Sequence, residues 1–167
     1  MRNKYLSLFL VSGVLIVMDQ YTKLMVSLHI PLNYSVKVVE DFFNLTHIRN
    51  SGVAFGLFAS QQSEYKALMF IAISSVAIMA ILVLFHQTPK EKKMVQTGLI
   101  LIFSGAIGNL IDRSLHGEVI DFADFFVNGY HFPAFNIADS CITIGVVLMV
   151  IDLFREGSRP GSSSKTL

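Results

Sequence analysis

The sequence predicts a mainly α-helical membrane protein with four transmembrane helices, a small extracytoplasmic β-sheet and an extracytoplasmic interfacial loop or helix. Three observations predict it. Of 167 residues, 53% are hydrophobic and 15% charged, and mean hydropathy is +0.58. Four apolar stretches approach the roughly 20 residues that cross a bilayer core. Basic residues gather in three regions that alternate with the remaining connections along the chain.

The same composition excludes other classes. A chain with so few charges and so many large apolar residues is not disordered. Thirteen basic and twelve acidic residues leave a net charge of +1, so no basic field exists to hold nucleic acid. The single cysteine, Cys141, has no partner for an internal disulfide. His29, His47, His86, His116 and His131 are scattered, with neither an HExxH motif nor paired cysteines, and the pattern offers no metal site.

The spans are placed at about 6–28, 67–85, 94–113 and 134–154. Ala67–Phe85 carries no charge, and Met94–Ile111 none either. The first span is interrupted by Asp19, Gln20 and Lys23. It follows Arg2 and Lys4 as a signal peptide would, but no small-residue cleavage site follows, so it is read as a retained helix. The fourth carries Asp139 near its start and Asp152 near its end. Residues 1–154 are expected to form a single membrane domain, and 155–167, rich in Ser and Gly, a disordered cytoplasmic tail.

Sidedness follows from Arg2 and Lys4, from Lys90, Lys92 and Lys93, and from Arg155, Arg159 and Lys165. The positive-inside rule makes that face cytoplasmic, with both termini on it. The outer connections are then about 29–66 and 113–133. Ser35–Ile48 alternates partly and reads as one or two strands. Asn50-Ser51-Gly52 is a turn signal, and Val53–Phe58 is a possible returning strand, placing the sheet at about 35–58. Residues 116–132 mix Glu118, Asp121 and Asp124 with Phe122, Phe125 and Phe126, as an amphipathic interfacial segment would.

Ionisable residues inside a span cost about 2.5–3.5 kcal/mol each on insertion scales and so need a reason. Asp19 and Lys23 are four apart, on one helix face, where they can pair or where Lys23 can snorkel. Asn109, Asp112 and Arg113 share a face at the outer end of the third span. Gly105 and Gly108, one turn earlier, let another helix approach. Asp139 begins the fourth span at the same outer surface. It fits a capping role behind Asn136, and equally one half of a two-aspartate site, with Asp121, Asp112 or Asp124 as its partner. Two carboxylates in an apolar site share a proton, and such a pair activates water and protonates a leaving amine. Ser63-Glu64-Tyr65-Lys66 matches a Ser-x-x-Lys pattern too short to carry weight. Two other classes fit parts of the pattern. A proton- or ion-coupled transporter would use the buried charges as a relay, although the second span offers only Ser74 and Ser75 toward a path. A membrane assembly factor would use the small residues of the third span only for packing.

Five motifs in order resemble the bacterial lipoprotein signal peptidases, signal peptidase II. They are Asp19-Gln20-Tyr21-Thr22-Lys23, the stretch from Arg49 to Gly56, the stretch from Gly105 to Arg113, Val119-Ile120-Asp121-Phe122, and Phe135-Asn136-Ile137-Ala138-Asp139-Ser140. The departure is Ser51 with Val53, in a stretch that family often writes as Asn-x-Gly-Ala-Ala. The resemblance implies an aspartic endopeptidase of the bacterial inner membrane, active near the extracytoplasmic face. Its partners would be diacylglyceryl-modified prolipoproteins, cut just before the lipidated cysteine, and membrane lipids. No metal, cofactor or nucleic acid is implied, and four spans without a repeat suggest a monomer. The resemblance makes Asp121 and Asp139 the catalytic pair. It makes Asp19, Lys23, Asn50, Gly52, Asn109, Asp112, Arg113, Asn136 and Ala138 the residues that bind substrate or support the site.

Overall fold

The computed structural model describes residues 3–52 and 63–157, and side chains from Leu68 onward in the second helix. The chain runs α1 (Lys4–His29), β1 (Ser35–Val39), β2 (Phe43–Asn50), α2 (Ser63–Gln87), α3 (Lys93–His116), β3 (Val119–Val127), β4 (Tyr130–His131) and α4 (Ile137–Gly157). Four helices are long and apolar enough to cross a membrane. The first three expected spans fall within α1, α2 and α3; the fourth, expected from 134, begins at Ile137 because Phe135 bridges to Ala123 and Asn136 caps the helix, and residues 155–157, expected as tail, continue α4. The possible returning strand at 53–58 and the rest of the tail lie outside the described residues.

The helices face lipid on most of their surface. Phe9, Val14, Val76 and Leu153 are all more than 60% exposed in the isolated chain, an arrangement only a hydrocarbon solvent favours. The helix α3 is the exception, with the largest buried share of the four, and it packs against each of the other three. Small residues let α4 lie against it. A Cβ on Gly98 would stand 2.8 Å from the Gly145 carbonyl oxygen, and one on Gly145 would stand 2.6 Å from that of Gly98. About two turns further along the seam, a Cβ on Gly105 would overlap the Ala138 carbonyl oxygen. At the other end, Lys4 Nζ donates to the carbonyls of Phe85, His86 and Thr88 at 2.7–3.1 Å. One ammonium thereby closes the C-terminus of α2 onto the start of α1, satisfying carbonyls that a helix end leaves orphaned.

The sheet corrects one expectation. Residues 119–131 form no interfacial loop or helix but the strands β3 and β4, in an antiparallel sheet ordered β1-β2-β3-β4. Phe122, Phe125 and Phe126 resemble an amphipathic run in composition, yet every residue from Val119 to Ala123 except Phe122 is buried. That near-continuous burial is the mark of a strand covered on both faces. Gly117 makes the strand possible by ending α3 in the left-handed region (φ 75°), donating its N–H to the Arg113 carbonyl, where an L side chain would be strained. A ring cluster of Phe42, Phe43, Phe125, Phe132 and Phe135, with centroids 4.5–6.1 Å apart, holds the sheet to the segment leading into α4.

Candidate active site

Three backbone arrangements bring Asp121 and Asp139 together. In the β2–β3 register Asn50 opposes Val119, so its diagonal neighbour on the same face is Asp121. Ala123 and Phe135 form an isolated antiparallel bridge, with Phe135 N–H donating to the Ala123 carbonyl at 3.1 Å and Ala123 N–H returning at 2.8 Å. This clips the α4 entry onto β3. Finally, Asn136 caps α4: its Oδ1 accepts Asp139 N–H at 2.9 Å, and Asp139 Oδ2 accepts Asn136 N–H at 3.3 Å. The capping and paired-carboxylate readings of Asp139 are thus satisfied by one geometry.

Asn136 is the hinge pin of the site. Its Nδ2 donates to Asp121 Oδ1 at 2.7 Å and to the Ile120 carbonyl at 3.2 Å, and lies 3.3 Å from Asn109 Oδ1. Asp121 Oδ2 accepts from Asn50 Nδ2 at 2.9 Å, and Asp139 Oδ1 from Asn109 Nδ2 at 2.8 Å. Asn50 Oδ1 in turn accepts Gly52 N–H at 2.8 Å. Gly52 holds φ 78°, and a Cβ there would meet the Phe70 ring at 2.9 Å. The Arg113 guanidinium lies over that same ring, 5.4 Å from its centroid, a cation–π contact.

Beneath this layer lies a buried ionic cluster. Lys23 Nζ is 2.8 Å from Asp19 Oδ2, 2.9 Å from Asp112 Oδ2 and 3.1 Å from Asn109 Oδ1, and all three charged side chains are at most 3% exposed. An ammonium has three donors, and each has a partner here. The two carboxylates then reach the backbone. Asp19 Oδ1 accepts Ala138 N–H at 2.8 Å, and Asp112 Oδ2 accepts Ile120 N–H at 3.1 Å. Each therefore grips the residue immediately before one site aspartate. A Cβ on Gly108 would fall 2.6 Å from Asp19 Oδ2, so this approach of α1 to α3 requires glycine.

Every residue expected at the site is brought to it, most through one connected hydrogen-bond network and Arg113 through the Phe70 ring that covers Gly52. The three candidate partners of Asp139 have different surroundings. Asp112 is occupied by Lys23 and the Ile120 amide. Asp124 accepts from Asn44 Nδ2 at 3.1 Å and pairs with His131 Nδ1 at 2.8 Å. Asp121 lines a cavity together with Asp139. That cavity, of ≈ 550 Å³, is walled by Asn50, Phe132, Phe135, Ser140 and Ile144 among others. Gln20, quoted in the first motif but given no role from the sequence, is a further member. Its Nε2 donates to Asp112 Oδ1, Asp19 Oδ2 and the Gly108 carbonyl at 3.0–3.1 Å. The available signal was an amide inside an apolar span. Among the described residues no three His, Cys, Asp or Glu side chains converge as a metal site would need.

Burial dominates the electrostatics of Asp121. Desolvation raises its pKa from 3.8 to about 6, opposed by the hydrogen bond from Asn50 and reinforced by the charge of Asp139.

Comparison with known proteins agrees with this arrangement. A family model described as signal peptidase (SPase) II matches residues 11–155. The chain belongs to the signal peptidase II family. The lipoprotein signal peptidase of Desulforapulum autotrophicum is 48% identical over 143 residues, covering 86% of this chain and 88% of the relative. That of Syntrophus aciditrophicus is 42% identical over 155 residues, 92% of this chain and 96% of the relative. A solved structure described as a bacterial membrane enzyme, obtained by the in meso method at 2.3 Å resolution, is 34% identical with a TM-score of 0.81 over 96% of this chain and 94% of that one. A second, at 1.9 Å, is 36% identical with the same TM-score over 90% of this chain and 94% of its own. The family is one of proteases, and the four-helix frame with its small sheet is shared with these neighbours.

Proposed function

We propose that the chain is an aspartic endopeptidase of the bacterial cytoplasmic membrane. It removes signal peptides from diacylglyceryl-modified prolipoproteins by cutting just before the lipidated cysteine. The observation that carries this reading is the cavity in which Asp121 and Asp139 stand together, both held by Asn136. Family membership supplies the substrate class.

The chemistry follows from the environment of each carboxyl. Asp121, buried and shifted to about 6, carries the shared proton. Asp139, which accepts hydrogen bonds from the Asn109 side chain and the Asn136 amide, is the ionised base. Asp139 takes a proton from water, whose oxygen attacks the scissile carbonyl carbon. Asp121 donates its hydrogen to the carbonyl oxygen, and a tetrahedral diol forms. As the diol collapses, one of its hydroxyl protons returns to Asp121, the C–N bond breaks and the new proton on Asp139 passes to the leaving amine. Asn50 and Asn136 fix the Asp121 carboxyl throughout, so little reorganisation accompanies the step.

The basic residues at the α1, α2–α3 and α4 ends support a reading with both termini in the cytoplasm and the site near the opposite face. The lipid chains of the substrate then remain in the bilayer beside Ile144 and Phe132, while the peptide enters from the surface. One copy supplies both aspartates, so the proposed reaction needs no second copy of the chain.

The test is cleavage by the purified full-length protein in detergent, with products located by mass spectrometry. A lipid-modified prolipoprotein is expected to be cut once, before the modified cysteine, and its unmodified form to remain intact. A cut elsewhere, or equal cutting of both forms, contradicts this substrate assignment.

A further inference from the structure

A second cavity, of ≈ 320 Å³, lies at the opposite end of the bundle, between the beginnings of α1 and α3. Its lining divides by chemistry. Lys4, Lys90, Lys93 and Gln96 line it near the helix starts, and Val11 and Ile100 line it about two turns further along α1 and α3. On α3 the step from Lys93 to Ile100 is about 10 Å along the helix axis, roughly the distance from a headgroup phosphate to the first part of its acyl chains.

The cations here lack the partners that the neighbouring charges have. Lys92 is paired with Glu156 at 2.7 Å, and Glu91 and Asp152 line a neighbouring cavity on the α4 side, to which Lys93 also contributes. Among the described residues no carboxylate lies within ion-pair distance of Lys90 or Lys93. Lys4 spends its hydrogens on the α2 carbonyls, which fixes its charge in the wall. Both helices also begin here with no acidic residue in their first turn. A helix N-terminus favours negative charge, so lysines at two of them add to a positive field, and the neighbouring Glu91 makes no ion pair with Lys90 or Lys93 among the described residues.

We infer that this cavity is a binding site for an anionic phospholipid. The phosphate sits with Lys90 and Lys93, the charge of Lys4 standing in the same wall, and an acyl chain runs along α1 and α3 past Val11 and Ile100. Basic pockets between membrane helices hold acidic headgroups by this combination of charge and apolar depth. The site shares no residue with the Asp121–Asp139 cavity and stands independently of the function proposed for it.

Native mass spectrometry of the detergent-purified full chain tests the inference. Phosphatidylglycerol and phosphatidylcholine of identical acyl chains are offered to the parent and to the Lys90→Gln/Lys93→Gln variant. Both substitutions are on exposed side chains, and an unchanged melting temperature confirms folding. The parent is expected to retain phosphatidylglycerol over phosphatidylcholine, and the variant to lose roughly fivefold in that preference for each lysine removed. Restoring charge with Lys90→Arg/Lys93→Arg restores the preference. Equal retention of the two lipids by the parent, or an unaltered preference in the glutamine variant, overturns the proposal. Displacement of phosphatidylglycerol by inorganic phosphate alone overturns its lipid character, leaving a simple anion site.

Discussion

Asp19 accepts the backbone N–H of Ala138 at 2.8 Å, and so a side chain from the first helix fixes the residue that precedes Asp139 in the fourth. Asp112 does the same for Ile120, the residue before Asp121, at 3.1 Å. Lys23 neutralises both carboxylates from between them. The ionic cluster therefore sets the spacing of the two site aspartates without touching either. Its value is in position more than in stability, because a buried ion cluster gains little over an apolar one once desolvation is counted.

Breaking that cluster from one side is a different matter. Lys23→Met leaves two buried carboxylates without their cation, a loss of about 3–5 kcal/mol. A clear fall in melting temperature and loss of cleavage are expected. Lys23→Met/Asp19→Asn/Asp112→Asn, which removes the charges together, is expected to recover much of the melting temperature. Thermal unfolding in detergent reads both, and a triple variant no more stable than the single one would show that the charges are not the cause.

Asn136 serves as helix cap and as donor to Asp121 at once. Asn136→Ala is expected to cost about 1 kcal/mol from the cap. The larger effect is on rate, about 100-fold, because the two carboxyls lose their common support. Asn136→Ser keeps a capping oxygen but not the Nδ2 donor, so it should recover stability without recovering rate. Comparing kcat with melting temperature across the pair separates the two roles.

The glycines divide sharply. A Cβ on Gly105 would overlap the Ala138 carbonyl, whereas one on Gly13 meets nothing within 4 Å. Gly105→Ala should force α4 off α3, destabilise by about 1–3 kcal/mol or more, and abolish cleavage through Ala138 and Asp139. Gly13→Ala should be neutral or stabilising by up to about 1 kcal/mol. Melting curves for the two variants check this contrast.

Asp121 gives the protein a pH dependence of known sign. Its pKa is raised from 3.8 to about 6 in the fold, so the native state holds a proton there that the unfolded chain has released. The stability linked to this group is fully present below the unfolded value and is lost as pH rises through about 6. Cleavage that needs the protonated carboxyl falls over the same range. Melting temperature and rate, each followed from about pH 5 to about pH 8, should decline together, and Asp121→Asn should flatten this part of the melting curve.

Much of this was legible in the sequence, for particular reasons. The four spans follow from hydropathy, and Asp19, Lys23, Asn109 and Asp112 attract notice because a charge or amide inside a span is costly. What composition could not supply was β3. Its phenylalanines and aspartates read equally as an interfacial segment, and only tertiary pairing with Asn44, Leu45 and Asn50 of β2 selects the strand. The same gap hid the partner of Asp139 from residue chemistry. Asp112, Asp121 and Asp124 are near neighbours in sequence, and they separate only when Lys23 claims the first and His131 and Asn44 the last. Gln20 has no role legible in the sequence because two of its three acceptors, the Gly108 carbonyl and Asp112 Oδ1, lie on α3, 88 and 92 positions away.

The central claim is that Asp121 and Asp139 perform the hydrolysis together. The most direct measurement is cleavage of a lipid-modified prolipoprotein by Asp121→Asn and by Asp139→Asn, each extracted, folded and compared with the parent at equal concentration. The account predicts no product above background from either variant, although both keep the four-helix fold. Substantial product from either one would contradict the two-aspartate mechanism, whatever became of the other.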